Sequence, residues 1–282
     1  MSGVIAAGLV AHVPTLSRPE ITPAFQRTLV EGEHALGEQL RALKPDLWVV
    51  ISTHWVSTFN WFATCQERHR GLCVADEAPD LIPGAPYDYP GDAQFGRALV
   101  DAWKDGGLPA VRNESPHYCW DYGTWVPMSH LDPQAQVAVV GVPVVLMADL
   151  DECRRAGEAI HASAKRLGRK AVVLASSALT HALVRGRQNE PAPERRLADD
   201  RAIERLLAGD IASLQNELPQ YAKSAVLEMG GRAIATMLGA AQALAADGAA
   251  LKGRQYGGYA QSSGSGNANL ILAPESTLRA MH

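Results

Sequence analysis

The sequence lacks the features that mark several classes of protein. Its cysteines are few: Cys65, Cys73, Cys119 and Cys153. They have no C-x-x-C spacing and are too sparse for a disulfide framework, which argues against a zinc site built from thiolates. No apolar run is long enough to span a bilayer and we recognise no secretory leader, so we expect a cytoplasmic protein that does not bind membranes.

Basic residues are not in excess either. The 282 residues include 26 Lys and Arg against 30 Asp and Glu, which gives a formal net charge of -4. In the arginine-rich segment 185–205 the arginines alternate with acidic residues, a pattern typical of a solvated helix face. We therefore expect no nucleic-acid partner.

Hydrophobic residues are plentiful. They make up 47% of the chain, enough to bury a large core in one domain or in two fused halves. Strand-like apolar runs alternate with helical patterns, which favours helices packed on a sheet. We predict an α/β fold, a central mixed sheet flanked by helices, in a single large domain over residues 1–282.

The periodicity of the sequence predicts the individual elements. Strands are predicted at residues 4–9, 47–52, 137–142, 171–175 and 269–272. Helices are predicted at residues 23–43 (with Thr22 as N-cap), 93–104, 149–167, 193–208, 211–217 and 222–246. Residues 71–92 and 257–266 are rich in turn-forming residues and are predicted to be loops, the first of them functional because of its Tyr87-Asp88-Tyr89 sequence.

Two histidines end apolar runs near the N-terminus. His12 precedes Pro14, which forces extended geometry on the intervening residue, and His54 follows the second predicted strand. In open α/β sheets ligands bind at the edge formed by the carboxyl ends of the strands. Glu228 lies far downstream, in a predicted helix with small and apolar neighbours. Two imidazoles and one carboxylate are the donor set of a facial triad, which binds a redox-active metal and leaves positions open.

Other interpretations of these residues remain open. A lone histidine at a strand end is more often a hydrogen-bonded structural residue than a ligand. Glu228 could instead pair with Lys223 or Arg232 at helical spacing on the surface. Two histidines and a glutamate with one open position would also suit a zinc hydrolase.

Further candidates surround this predicted site. His181 follows a third apolar strand and a small polar turn, and an imidazole not bound to the metal can move protons. Tyr122 offers a hydroxyl donor, although backbone groups often satisfy a buried tyrosine. An apolar pocket with few polar groups is typical of ligand sites. The candidate substrate-binding residues are Trp55, Tyr87, Tyr89 and His117, with core packing as the alternative for the aromatic ones.

Several separated motifs, in this order, carry a resemblance that spans nearly the whole chain. They are His12-Val13-Pro14, Thr53-His54-Trp55, Tyr87-Asp88-Tyr89, Asp121-Tyr122-Gly123-Thr124, residues 174–181, Leu218-Pro219-Gln220-Tyr221-Ala222, the segment around Glu228 and Gly264-Ser265-Gly266-Asn267-Ala268. The chain resembles the class III extradiol ring-cleavage dioxygenases, the superfamily of the catalytic subunit of protocatechuate 4,5-dioxygenase.

The resemblance implies a function and roles for the residues. His12, His54 and Glu228 would hold a non-haem Fe(II), His181 would act as acid and base, and Tyr122 would assist it. The substrates would be dioxygen and a catechol or 2-aminophenol, cleaved beside its two heteroatoms to a ring-opened semialdehyde. The resemblance also implies a homodimer or higher oligomer, with or without a small accessory subunit. A non-catalytic member of the fold would have lost a ligand, and here every ligand position is filled.

One departure from the superfamily pattern concerns the substrate. Many members have a histidine where this chain has Tyr122, whereas the homoprotocatechuate and 2-aminophenol branches resemble it in having tyrosine. We therefore expect a substituted catechol such as homoprotocatechuate, or a 2-aminophenol, rather than protocatechuate or gallate. If the substrate carries a carboxylate, an arginine would suit it. The sequence does not rank the candidates Arg70, Arg112 and Arg254.

Overall fold

A six-stranded mixed sheet lies at the centre of the protein, whose computed structural model describes residues 2–281. Helices cover both faces of this sheet, and two smaller two-stranded sheets lie outside it. The predicted fold, a central mixed sheet flanked by helices, is therefore confirmed. No helix in the described part of the chain is long and apolar enough to cross a membrane.

The helices and strands have the following bounds. The strands are β1 (Gly3–Val10), β2 (Leu47–Ser57), β3 (Trp61–Thr64), β4 (Arg68–Val74), β5 (Pro83–Pro90), β6 (Ala110–Asn113), β7 (Ala138–Val145), β8 (Lys170–Ser176), β9 (Leu251–Ser262) and β10 (Ser265–Pro274). The α-helices are α1 (Arg27–Ala42), α2 (Ala93–Asp105), α3 (Tyr122–Leu131), α4 (Leu150–Arg166), α5 (Pro193–Ala208), α6 (Ile211–Ser224), α7 (Arg232–Ala246) and α8 (Glu275–Ala280). Short 3-10 turns occupy Pro14–Ser17, Ala24–Gln26 and Glu228–Gly231.

The central sheet has the strand order β7-β2-β8-β1-β10-β9. Strands β7, β2, β8 and β1 are parallel, while β10 is antiparallel to both β1 and β9. The parallel strands are continuous apolar runs because both faces of the sheet are covered. In β2, Val49 and Ile51 pack with α2, α4 and α7, whereas Trp48 and Val50 pack with α1 and α3.

The two predicted loops were wrong, because each contains a β-hairpin. Residues 71–92 include most of β4 and all of β5, which pair antiparallel. Prolines hid this strand in the sequence, yet proline is tolerated in such a small edge sheet, where Pro86 faces Leu72. Residues 257–266 join β9 to β10 through a tight turn at Ser263 (φ 52°) and Gly264 (φ 83°). Positive φ at both positions is what a two-residue hairpin turn requires.

The helix predictions were partly wrong at their ends. The first helix begins at Arg27, after a 3-10 turn, and Thr22 does not cap it. Its hydroxyl instead donates to the carbonyl oxygens of Thr15 and Arg18. The predicted helix 211–217 continues to Ser224 as α6. Helix α3 was not predicted at all, since its residues lack amphipathic periodicity and are almost all buried.

The predicted helix 222–246 is interrupted at Glu228, the candidate carboxylate ligand. Between α6 and α7 the chain turns through the 3-10 segment Glu228–Gly231. Met229 (φ 45°), Gly230 (φ 66°) and Gly231 (φ 77°) all have left-handed backbone conformations, which a continuous α-helix cannot contain. Glu228 therefore lies in a turn and not on a helix.

Candidate functional site

The candidate ligands meet at the carboxyl edge of the parallel strands. His12 follows β1 by two residues, and His54 lies in the last part of β2. The register of β2 against β7 shifts between Ser52 and Val56, around His54. Such irregularities re-aim side chains next to sites. The segment after β8 brings His181 to the same edge.

Glu228 reaches this edge from the turn between α6 and α7. Its Oε2 accepts a hydrogen bond of 2.6 Å from the backbone N–H of Ala178, which orients the carboxylate. The neighbouring Val226 has φ 55°, a rare conformation for a β-branched residue, and its carbonyl accepts the N–H of His181 at 2.9 Å. Backbone strain of this kind is typical of functional sites. The strained turn thus ties Glu228 and His181 to each other.

The distances between donor atoms define a compact centre. Oε1 of Glu228 lies 3.4 Å from Nε2 of His12 and 3.6 Å from Nε2 of His54. Nε2 of His181 also lies 3.6 Å from this oxygen. Among the described residues, His12, His54 and Glu228 form the one group whose ligand atoms all lie within 4.8 Å of one another.

These distances fit a metal better than direct hydrogen bonds. Contacts of 3.4 and 3.6 Å are longer than ordinary N–H···O bonds. Donors about 2.0–2.2 Å from one ion, and roughly at right angles to each other, lie about 3 Å apart. Glu228 is buried, and no lysine or arginine pairs with it among the described residues. A divalent cation held by His12, His54 and Glu228 would supply the counter-charge.

The imidazoles and the carboxylate shift one another's protonation. Burial alone would raise the pKa of Glu228, but the facing histidines hold it well below its ordinary value. Burial opposes the charged form of His54, yet its contacts with Glu228 raise its pKa overall. For His181 burial dominates and the pKa is lowered. The carboxylate is thus ionised and His181 favours its neutral form, which can accept a proton.

A cavity of about 320 Å³ opens onto this centre. That volume lies at the small end of ligand pockets and suits a single aromatic ring. His12, His54, His181 and Tyr122 all line it. Tyr122 begins α3, and its ring centroid lies 3.9 Å from that of His54. Burial raises the pKa of its hydroxyl, so Tyr122 stays neutral and can donate a hydrogen bond.

The structure places the predicted substrate-binding residues outside this cavity. Tyr87 stacks on Trp120, with ring centroids 4.7 Å apart, and its hydroxyl accepts a hydrogen bond from the backbone N–H of Trp120. The Tyr89 hydroxyl donates to backbone carbonyls of α3 and of the residue after it. Trp55 packs against Tyr118, and His117 is exposed on a loop. None of the four lines the cavity.

The three arginines considered for a substrate carboxylate are engaged elsewhere. Arg70 pairs with an aspartate of the hairpin β4–β5, and Arg112 pairs with an aspartate of α2. Arg254 donates to carbonyl oxygens near the C-terminus. Instead Arg187 lines the cavity, as does Glu77. Sequence reasoning missed both, because each lies in a turn-rich segment with no spacing signal.

Comparison with known proteins shows which family the chain resembles. Residues 6–263 match the family described as the catalytic LigB subunit of aromatic ring-opening dioxygenase. The 3,4-dihydroxyphenylacetate 2,3-dioxygenase of Escherichia coli is 23% identical over 232 residues, covering 79% of this chain and 84% of that protein. The beta subunit of 2-aminophenol 1,6-dioxygenase from Pseudomonas sp is 26% identical over 268 residues, covering 86% of this chain and 87% of that subunit.

A solved structure has the same fold. The crystal structure of an uncharacterized protein from Escherichia coli K12 superposes with a TM-score of 0.66 at 16% sequence identity, covering 95% of this chain and 99% of that one. Because the family match extends over residues 6–263, this chain belongs to the family of the catalytic LigB subunit of aromatic ring-opening dioxygenases.

Proposed function

We propose that the protein is an Fe(II)-dependent extradiol dioxygenase that opens the ring of a substituted catechol or a 2-aminophenol to a semialdehyde. The observation that carries the proposal is that the donor atoms of His12, His54 and Glu228 meet at one centre, beside a cavity that both histidines and His181 line. Bound Fe(II) supplies a redox-active centre with open positions for the ring heteroatoms and for dioxygen. Iron is preferred to zinc in this proposal because the relatives are named dioxygenases.

The side chains around the cavity have distinct roles in this proposal. Neutral His181, whose pKa is lowered by burial, accepts a proton from the ring hydroxyl or amine and returns it to oxygen during cleavage. Tyr122 donates a hydrogen bond from a hydroxyl that remains protonated. Glu228 keeps its charge and its orientation through the Ala178 N–H.

The cavity also bears on the ring substituent. Arg187 is the cationic side chain that lines it, and Ser262, Ser263 and Ser265 lie on the same wall. A guanidinium and hydroxyl groups can bind a carboxylate through charge-assisted hydrogen bonds. We therefore favour homoprotocatechuate, a catechol with an acetate side chain, over 2-aminophenol, which has no anionic group.

Oxygen uptake tests the proposal. The purified protein, loaded anaerobically with Fe(II), should consume oxygen when a catechol or 2-aminophenol is added, and a ring-opened product should appear. The same protein loaded with Zn(II) is the control, since redox-inert zinc has no role in dioxygen chemistry. Absence of uptake with every substrate in the Fe(II) form would exclude the function, and hydrolysis of a model ester by the zinc form would favour a hydrolase.

Assembly is a separate part of the proposal. The 2-aminophenol 1,6-dioxygenase relatives are named as alpha and beta subunits, the alpha subunit being 27% identical to this chain over 221 residues. We propose a homodimer or higher oligomer for this chain, with or without an accessory subunit. Light scattering on the purified protein measures its mass directly, and a monomer that is fully active would exclude this part.

A further inference from the structure

We propose that Glu77 is a positioning residue of the metal centre, whose carboxylate fixes the orientation and the tautomer of His54. Glu77 lies in the turn between β4 and β5, at the wall of the cavity. The inference rests on the proposed function only in that His12, His54 and Glu228 must hold a metal. It does not depend on which substrate, or whether any substrate, is cleaved there.

The His54 ring lies between two carboxylates. Its Nδ1 is 3.3 Å from Oε1 of Glu77, and its Nε2 is 3.6 Å from Oε1 of Glu228. A neutral imidazole carries one N–H, and only the other nitrogen can bind a metal. An acceptor at Nδ1 places the proton there and leaves the Nε2 lone pair facing Glu228. Carboxylates that accept from a ligand histidine in this way orient the ring and raise its basicity.

The other histidine ligand has no such support. Nδ1 of His12 is buried and has no hydrogen-bond partner among the described residues. The backbone just before it is anchored, because the N–H of Ala11 donates to the side-chain oxygen of Asn269 at 2.9 Å. Of the two histidine ligands, His54 is therefore the one whose Nδ1 has an acceptor among the described residues.

The turn that carries Glu77 is held in place over the centre. Within the turn, the N–H of Ala78 donates to Ala75 and that of Leu81 donates to Ala78. The carbonyl of Leu81 accepts the Ser17 hydroxyl, at 3.3 Å, from the 3-10 turn that follows His12. The hairpin thus connects the segment after one ligand to the ring of the next ligand.

The exposure of Glu77 limits what the contact can do. Its side chain is 63% exposed and that of His54 is 15% exposed. An ion pair so open to solvent contributes little to the stability of the fold. We therefore expect its effect on the metal affinity and on the imidazole tautomer, not on unfolding.

Metal titration of the apoprotein tests the inference without an assay of activity. Co(II) alone is the probe. The variant Glu77→Ala should bind it roughly 10–100-fold more weakly than the original chain, the usual loss when such a partner is removed. Glu77→Gln keeps an oxygen that can accept from Nδ1 and should recover most of the affinity. The control is Asp76→Ala, which removes the neighbouring exposed carboxylate.

Nitrogen NMR of the histidines in the apoprotein gives a second readout. At a pH high enough to keep its ring neutral, His54 should be protonated at Nδ1 in the original chain and lose that preference in Glu77→Ala. Unchanged Co(II) affinity in Glu77→Ala would overturn the inference, as would an equal loss in Asp76→Ala. If Glu77→Ala weakens Co(II) binding but no substrate is ever oxidised, Glu77 retains its role and the proposed function fails. If oxidation occurs and Glu77→Ala binds metal normally, only the role of Glu77 fails.

Discussion

Nε2 of His181 lies 3.6 Å from Oε1 of Glu228, the same distance as Nε2 of His54. Two histidines thus stand in the same relation to the carboxylate, although we assign them different roles. His54 belongs to the group whose donor atoms all lie within 4.8 Å, and His181 does not. His181 is also more exposed, at 32% of its side chain against 15%. The difference in role follows from these two facts and leads to the first prediction.

His181→Ala should retain iron and bind a catechol, yet lose turnover. One positioned acid and base contributes roughly 10²–10⁴-fold to a rate, so kcat should fall by about that factor. Iron content by elemental analysis and kcat by oxygen uptake measure the two effects. The matched variant, His54→Ala, should lose iron itself. Equal iron loss in both variants would make His181 a ligand.

Glu228→Ala should abolish iron retention. Two neutral imidazoles cannot compensate a dication, and this carboxylate is the buried acceptor that does. Iron bound after gel filtration in the presence of a weak chelator measures the effect. Glu217→Ala, which removes a surface carboxylate paired with Arg205, is the control and should bind iron normally. Full iron occupancy in Glu228→Ala would contradict the ligand assignment.

Arg187→Gln should discriminate between substrates. If Arg187 binds a carboxylate, KM for homoprotocatechuate should rise about tenfold, while KM for 2-aminophenol should change little. Arg185→Gln is the control, because Arg185 is exposed and does not line the cavity. Equal changes for both substrates would remove Arg187 from recognition of the substituent.

The identity of the residue at position 122 predicts the substrate order. A neutral tyrosine donates a hydrogen bond but cannot carry the charge and proton that a histidine there would. Initial rates should therefore be higher for homoprotocatechuate or 2-aminophenol than for protocatechuate or gallate. Faster turnover of either of the last two would show that our interpretation of Tyr122 is wrong, even if the iron chemistry is right.

His130 should make stability depend on pH. Burial lowers its pKa from 6.5 to about 4, and its Nε2 bonds the carbonyl of Leu16 at 2.9 Å. Below pH 6.5 the unfolded chain binds a proton that the folded chain refuses. The free energy of unfolding therefore keeps the full contribution of neutral His130 above pH 6.5. It falls by about 3 kcal/mol as the pH drops from 6.5 toward 4.

The pH dependence of the original chain alone does not isolate the effect of His130, because Glu33 lies close to it. A variant without this histidine is needed. The buried carboxyl of Glu33 has a raised pKa and contributes a slope of the opposite sign. Urea unfolding of the original chain and of His130→Gln at several pH values isolates the histidine. Their difference in unfolding free energy should shrink as the pH falls. A constant difference would show that His130 is not held neutral.

The sequence was sufficient for the layers of the fold and for the edge where the site lies. Continuous apolar runs such as that around Val49 predict buried parallel strands, and histidines placed after such strands must meet at their carboxyl ends. The hairpins were missed because strand pairing outweighs local composition. Prolines and glycines in β5 and β9 favour loops locally, but the neighbouring strand supplies hydrogen bonds that a single sequence does not display.

The candidate site shows the same limit. The segments of His12 and His54 were located from local pattern, but Glu228 was placed on a helix because helical periodicity continues through the strained turn that carries it. Tyr87 and Tyr89 pack in the core and not at the cavity. Their position depends on the register of the β4–β5 hairpin, which local pattern does not predict. Glu77 and Arg187 enter the cavity wall through turn geometry, which no spacing rule encodes.

The fate of labelled dioxygen tests the central claim most directly. The Fe(II) protein is supplied with ¹⁸O₂ and the preferred substrate, and the product is reduced at once so that its aldehyde oxygen cannot exchange with water. Mass spectrometry should find both labelled oxygen atoms in the ring-opened product, and no product with Glu228→Ala. Absence of label from the ring-opened product would show that its new oxygen atoms do not come from dioxygen, and a single labelled atom beside an intact ring would indicate hydroxylation; either result would contradict extradiol cleavage at this site.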